Sequence, residues 1–163
     1  SIERSKKPHE LIHRGICDFK SIQTRGGKNY FITYIDDYTR YSYIYLIRTM
    51  IETLETFYQY KNEVENQLSK KIKILRSDWG GENESPIGEF CKEHGIIHQT
   101  TAPYSHQQNR IAKRKKRTLK DIMNVILISF GLPQNLWGKT IHSANYILNK
   151  IPRKKVNQIP YEI

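Results

Sequence analysis

The hydrophobic pattern changes period several times along the chain, and each change predicts a new element. From Glu10, "ELIHRGICDF" reads as a strand of mixed alternation, and the turn signal "TRGGKN" separates it from "YFITYIDDY". That second run is aromatic and β-branched in the way strands favour. "DDYTR" is short enough to make an antiparallel hairpin into a third strand, "YSYIYLI", with Asp36 and Asp37 in the ordinary turn-forming role of aspartate. "MIETLETFYQYKNEVENQL" then moves to helical spacing, placing Ile51, Leu54, Phe57, Tyr58, Val64 and Leu68 on a stripe.

"KIKILRS" returns to strand, "PIGEFCKEHG" predicts a short helix closed by Gly95, and "IIHQTT" predicts another strand before the loop "APYSHQQN". A helix follows from about Gln107 to Phe130, basic in its first half and apolar in "DIMNVILISF". Gly131 ends it, Pro133 suits the first turn of the next helix, and Trp137, Ile141, Ala144, Leu148 and Ile151 mark that helix's core stripe. Three strands, helix, strand, helix, strand and two helices give a mixed α/β order with an antiparallel start.

Composition narrows the partner. A chain of 163 residues supports one domain with its own core, expected over residues 10–163 behind a polar linker tail, 1–9. No apolar run approaches the roughly 18 residues of a membrane span, and no signal segment opens the chain, so a soluble, unsecreted protein is expected. Cys17 and Cys91 lack partners at metal-ligand spacing and read as buried thiols. The formal charge of +11 favours polyanions, and "RIAKRKKRTLK" alone carries seven basic residues and no acid. A charge run is otherwise a solvated face.

Four blocks carry a likeness: "YFITYIDDYTRYSYIYLI", "KIKILRSDWGGENES", "FCKEHGIIHQTTAPYSHQQNRIAKRKKRTL" and "GLPQNLWGKTIHSANYILNKIP". In this order and spacing they resemble the integrase core of copia-type long-terminal-repeat retrotransposons, related to retroviral integrases. The resemblance implies a ribonuclease-H-like α/β fold, a mixed five-stranded sheet flanked by helices, and cutting and joining of DNA strands. It also implies a nuclear location or a cytoplasmic particle, and a possible homodimer through helices like the last two here. In that family two Asp and one Glu hold two Mg2+ or Mn2+ ions, one activating the attacking hydroxyl and the other stabilising the leaving oxygen.

Residue by residue, the carry-over is partial. Asp78 in "RSDWGGE" matches the family's second Asp and is the remaining candidate metal ligand. The first Asp position is Gly15, after His13 and Arg14, and the Glu position, in "QQNRIAKRKKRT", is Lys113. Trp79 and Arg110 replace a usual Asn and Gly beside the same site, and the stretch after Glu82 is one residue short. One carboxylate and one ammonium leave the local charge about zero in place of about −3, so tight two-metal binding should fail and Asp78 and Lys113 should face each other as an ion pair or a water-bridged pair. Asp18, three positions past Gly15, points to the opposite strand face and is a poor substitute.

DNA affinity is expected to outlast the chemistry. Arg110, Lys113, Arg114 and Arg117 recur at three- and four-residue steps on adjoining faces, with Lys115, Lys116 and Lys120 spreading the charge further. They imply backbone binding without base readout. Tyr104 is as well read as a DNA contact as a plain loop residue. His94 and His98 lack a third metal ligand and read as turn or surface histidines, and Trp137 reads as core. Two rival readings stay open: an active strand transferase or nuclease with substitute ligands, and an assembly remnant with no DNA role.

Overall fold

A computed structural model of the chain describes residues 4–19, 21–78, 84–101 and 110–152. Its strands are β1 (Leu11–Asp18), β2 (Tyr30–Asp36), β3 (Ser42–Ile47), β4 (Ile74–Asp78) and β5 (Ile97–Thr101), and its helices are α1 (Thr53–Leu68), α2 (Glu84–Glu93), α3 (Arg110–Ser129) and α4 (Trp137–Asn149). The five strands form one sheet in the order β3-β2-β1-β4-β5. The first three pair antiparallel, whereas β4 runs parallel to both β1 and β5. Two hairpin turns make the antiparallel part, and α1 and α2 supply the crossovers that parallel pairing needs.

Each turn has a local cause. Gly27 adopts φ +80 after Thr24, whose carbonyl accepts the Gly27 amide and whose hydroxyl accepts the Lys28 amide. In the second hairpin Asp36 behaves as a turn-former, its carboxylate accepting from the His9 and Tyr38 amides and the Thr39 hydroxyl. Gly131 (φ +61) closes α3, and the Leu132 amide returns to the Leu127 carbonyl. A left-handed residue there relieves the last unpaired carbonyls of the helix.

Strand alternation sorts the core into two layers. Ile12, Ile32, Tyr34 and Leu75 pack with Phe57, Tyr60 and Val64 of α1 and Ile87 and Cys91 of α2. Cys17, Phe31 and Ile44 point the other way, against Leu119, Met123 and Leu127 of α3 and Trp137, Ile141 and Ala144 of α4. Each large apolar side chain fully buried here contributes about 2 kcal/mol.

Two expected stripes shift. On α1, Phe57 and Val64 are buried, but Tyr58 and Leu68 face out, as does Ile51 (86% exposed) in the 3-10 turn just before the helix, and Thr53, Thr56 and Tyr60 complete the buried face. A Tyr34 hydroxyl hydrogen-bonded to Thr56 (2.9 Å) makes that polar position compatible with burial. On α4 the stripe stops before Ile151, which is 48% exposed, and Asn149 is buried in its place. Both cysteines are buried. No helix among the described residues is long and apolar enough to cross a membrane.

Candidate functional site

Two of the positions singled out by sequence, Gly15 and Lys113, lie where the first turn of α3 crosses β1. Arg14 pairs with Ser77 across the parallel strands, so the next residues along the two backbones are Gly15 and Asp78, and Gly15 lies on the face that α3 covers. Above Gly15 sits Ala112, the residue before Lys113. A Cβ at position 15 would lie 3.0 Å from the Thr33 hydroxyl and 3.3 Å from the Ala112 Cβ. The absence of a side chain therefore lets α3 settle directly on β1.

Asp78 belongs to β4 by its backbone, opposite Thr101 of β5; its side chain, and with it the expected pair to Lys113, lies outside the described residues. Lys113 is half-buried, and Arg110, Arg114 and Arg117 are exposed on α3. Asp18 is exposed at the end of β1. Tyr104 lies outside the described residues. His94 is exposed and stacks on Phe90 (4.1 Å between centroids), while His98 bonds the Ser77 hydroxyl at 3.0 Å, so the two histidines serve separate local contacts. Trp137 is core, its indole N–H donating to the Ile22 carbonyl.

Lys115 departs from the expected basic surface. It is half-buried, its ammonium donates to the Arg40 carbonyl at 3.4 Å, and burial, with the nearby Arg40 charge, pushes its pKa down to about 8. Lys120, by contrast, lies over the Phe19 ring, 5.4 Å from its centroid. At its far end α3 borders an apolar groove of about 420 Å³ lined by Phe19, Met123, Leu127, Leu132 and Trp137 among others, with no titratable group.

Beside the site, Asp37 does what its turn position did not announce. Its buried carboxylate accepts from His13 Nε2 (2.7 Å), Arg4 Nη1 (3.1 Å), Arg40 Nη1 (3.1 Å), and the amide and hydroxyl of Ser5 (2.8 and 3.1 Å). Burial works to raise the Asp37 pKa, but the His13 bond, the Ser5 amide and the Arg40 charge outweigh it and hold the carboxyl well below its usual range. Burial dominates at His13 and lowers its pKa, so the ring is neutral and donates from Nε2. Through Arg40 and Lys115 the cluster also ties the hairpin turn to α3. The sequence signal for it was the Asp36–Asp37 doublet: one turn needs one such aspartate, leaving the second for another task.

Residues 7–106 match the family model described as integrase core domain. The chain is also 35% identical over 153 residues, 93% of its length, to the "Retrovirus-related Pol polyprotein from transposon TNT 1-94" of Nicotiana tabacum. This chain belongs to the integrase core domain family. A second relative, the "Retrovirus-related Pol polyprotein from transposon RE1" of Arabidopsis thaliana, is 28% identical over 91% of the chain. The integrase core spans about a tenth of these polyproteins, 12% and 10% of their lengths. Gly15 and Asp78 fall inside the family match, and Lys113 lies beyond its end.

Solved structures agree on the fold. The HTLV-2 integrase catalytic core domain in complex with magnesium, in its trimeric form, superposes with a TM-score of 0.71 at 18% identity, covering 98% of this chain and 99% of that one. The simian T-cell lymphotropic virus intasome in complex with PP2A regulatory subunit B56 gamma gives 0.77 at 16% identity, covering 99% and 56%. The integrase core described here thus has the ribonuclease-H-like architecture, with its five-stranded sheet and antiparallel three-strand start.

Proposed function

We propose that this chain is the DNA-holding core of a copia-type retrotransposon integrase that no longer performs two-metal strand transfer. One observation carries the reading: where β1, β4 and α3 meet, position 15 is a glycine closed over by Thr33 and Ala112, and the helix residue following Ala112 is a lysine. Two divalent ions at one centre need several oxygen ligands and compensating negative charge. A donor set of glycine, aspartate and lysine does not fit them, and no reaction step is assigned to metal here.

What remains suits a phosphate backbone. Arg110, Lys113, Arg114, Lys116 and Arg117 share one helix with no acid in its first turn, and a helix start already favours anions. Binding of this kind needs no metal and reads no base sequence. Self-association is part of the same reading, supported by the exposed apolar side chains Val125, Ile128 and Phe130 at the end of α3. Such a core acts in the nucleus or within a cytoplasmic particle.

The deciding assay gives purified protein Mn2+ and a pre-nicked element-end oligonucleotide. No joined product is expected, and duplex DNA should bind equally well in EDTA. Joined product that disappears in Asp78→Asn would overturn the reading. Restoring Gly15→Asp and Lys113→Glu together should return Mn2+ binding, read by calorimetry, and should weaken DNA binding in EDTA.

A further inference from the structure

The basic helix leaves a second group of lysines unexplained. Parallel pairing sets Leu11 beside Ile74, so the segments that lead into β1 and β4 converge at one end of the sheet. Both the Lys73 and Ile74 amides donate to the Glu10 carbonyl, at 3.2 and 2.9 Å. Lys6 and Lys7 on one segment, and Lys70, Lys71 and Lys73 on the other, are all exposed there.

Their mutual proximity is visible in what surrounds His9 and Glu10. The Lys6 amide and the Lys73 ammonium both bond the Glu10 carboxylate at 3.3 Å. These bonds, with the charges of Lys73 and Lys7, lower the Glu10 pKa. Burial first, and Lys70 after it, lowers that of His9. Two carboxylates bonded to these segments are already engaged: Glu10 as above, and Glu65 of α1 by Lys61 and the Ile72 amide. The five lysines of the two segments outnumber these two carboxylates.

We infer that this end of the sheet is a second nucleic-acid contact surface, separate from α3, so that one core can hold two nucleic-acid segments. Gly15, where α3 first touches β1, lies four residues beyond Leu11, about 13 Å along the strand. That exceeds the Debye length of about 8 Å at physiological salt, so the two positive surfaces attract independently. Exposed lysines spread over two strand approaches act as hydrated point charges, which suits a line of backbone phosphates.

A bead-capture assay tests this. The chain is loaded on an immobilised duplex of about 30 bp, about three helical turns, and a second, fluorescent duplex is added. Wild type should retain the second duplex. Lys70→Gln, Lys71→Gln and Lys73→Gln combined should cut retention at least tenfold while leaving binding to the first duplex within about twofold, and Lys→Arg at the same three positions should keep it. Retention unchanged in the Gln variant would overturn the inference, as bridging would then arise from self-association or from α3 alone. So would binding of phosphatidylserine vesicles through these lysines with no loss of second-duplex capture. Arg114→Gln with Arg117→Gln separates the two ideas: if it leaves first-duplex binding intact, the α3 reading fails by itself.

Discussion

At the residue scale, Asp37 and Lys115 are opposite cases of a charge near the core. Asp37 is ionised because five donors converge on it, and it fastens Arg4 and Ser5, which precede β1, to the sheet. Breaking a buried charge cluster from one side strands its partners. Asp37→Asn should therefore destabilise the fold by about 3 kcal/mol, read as a lower urea midpoint at unchanged slope. Lys115 has a single carbonyl partner among the contacts seen and pays for its burial with a depressed pKa. Its charge is costly in the fold below about 8, and the cost fades as pH rises towards its unfolded value of about 10.4. Lys115→Met should raise the melting temperature at pH 7 and abolish the gain in stability that wild type shows between those pH values. His13 follows the same sign at lower pH: its lowered pKa contributes stability above about pH 6.5 that is lost as pH falls.

At the element scale, the second helical layer is held by close approach and by paired polar groups. Gly138 in α4 faces the β1–β2 turn, where a Cβ would come within 2.8 Å of the Thr24 methyl and 3.0 Å of Leu46 Cδ1. Thr24 is pinned by the bond its hydroxyl accepts from the Lys28 amide. Alanine gains about 1 kcal/mol in helix propensity over glycine, but crowding a fixed neighbour costs about 1 to 3 kcal/mol. Gly138→Ala should thus be neutral to destabilising in thermal unfolding, never stabilising by its full helix propensity. At the other end of α4, Asn149 accepts the Ser42 amide (3.0 Å) and donates to the Ser42 carbonyl (3.0 Å), giving the start of edge strand β3 the partners a further strand would supply. Asn149→Leu should cost about 2 kcal/mol by leaving that buried amide unsatisfied, detectable as faster hydrogen exchange at Ser42.

At the scale of the whole molecule, electrostatics decide behaviour. A formal charge of +11 on 163 residues makes affinity for DNA depend steeply on salt. Taking five backbone contacts from α3, the logarithmic slope is about −4.5, so going from 50 to 200 mM salt should weaken binding about 500-fold. Fluorescence anisotropy over that range measures it, and a flat response would leave the assembly reading in place.

Hydrophobic period and turn chemistry were enough to place all five strands and all four helices in order, because those signals are local. The likeness of four spaced blocks also singled out Asp78, Gly15 and Lys113 as the positions to test, since a change from carboxylate to hydrogen or to ammonium is legible letter by letter. Long-range contacts were not. That Asp37 would gather residues 4 to 40 around one carboxylate, that Lys115 would reach the Arg40 carbonyl while Arg114 and Arg117 stayed exposed, and that Lys6, Lys7, Lys70, Lys71 and Lys73 would share one end of the sheet all depend on which strands lie side by side. Parallel pairing of β1 with β4 joins segments some sixty residues apart, and burial and charge proximity exist only once that pairing is made.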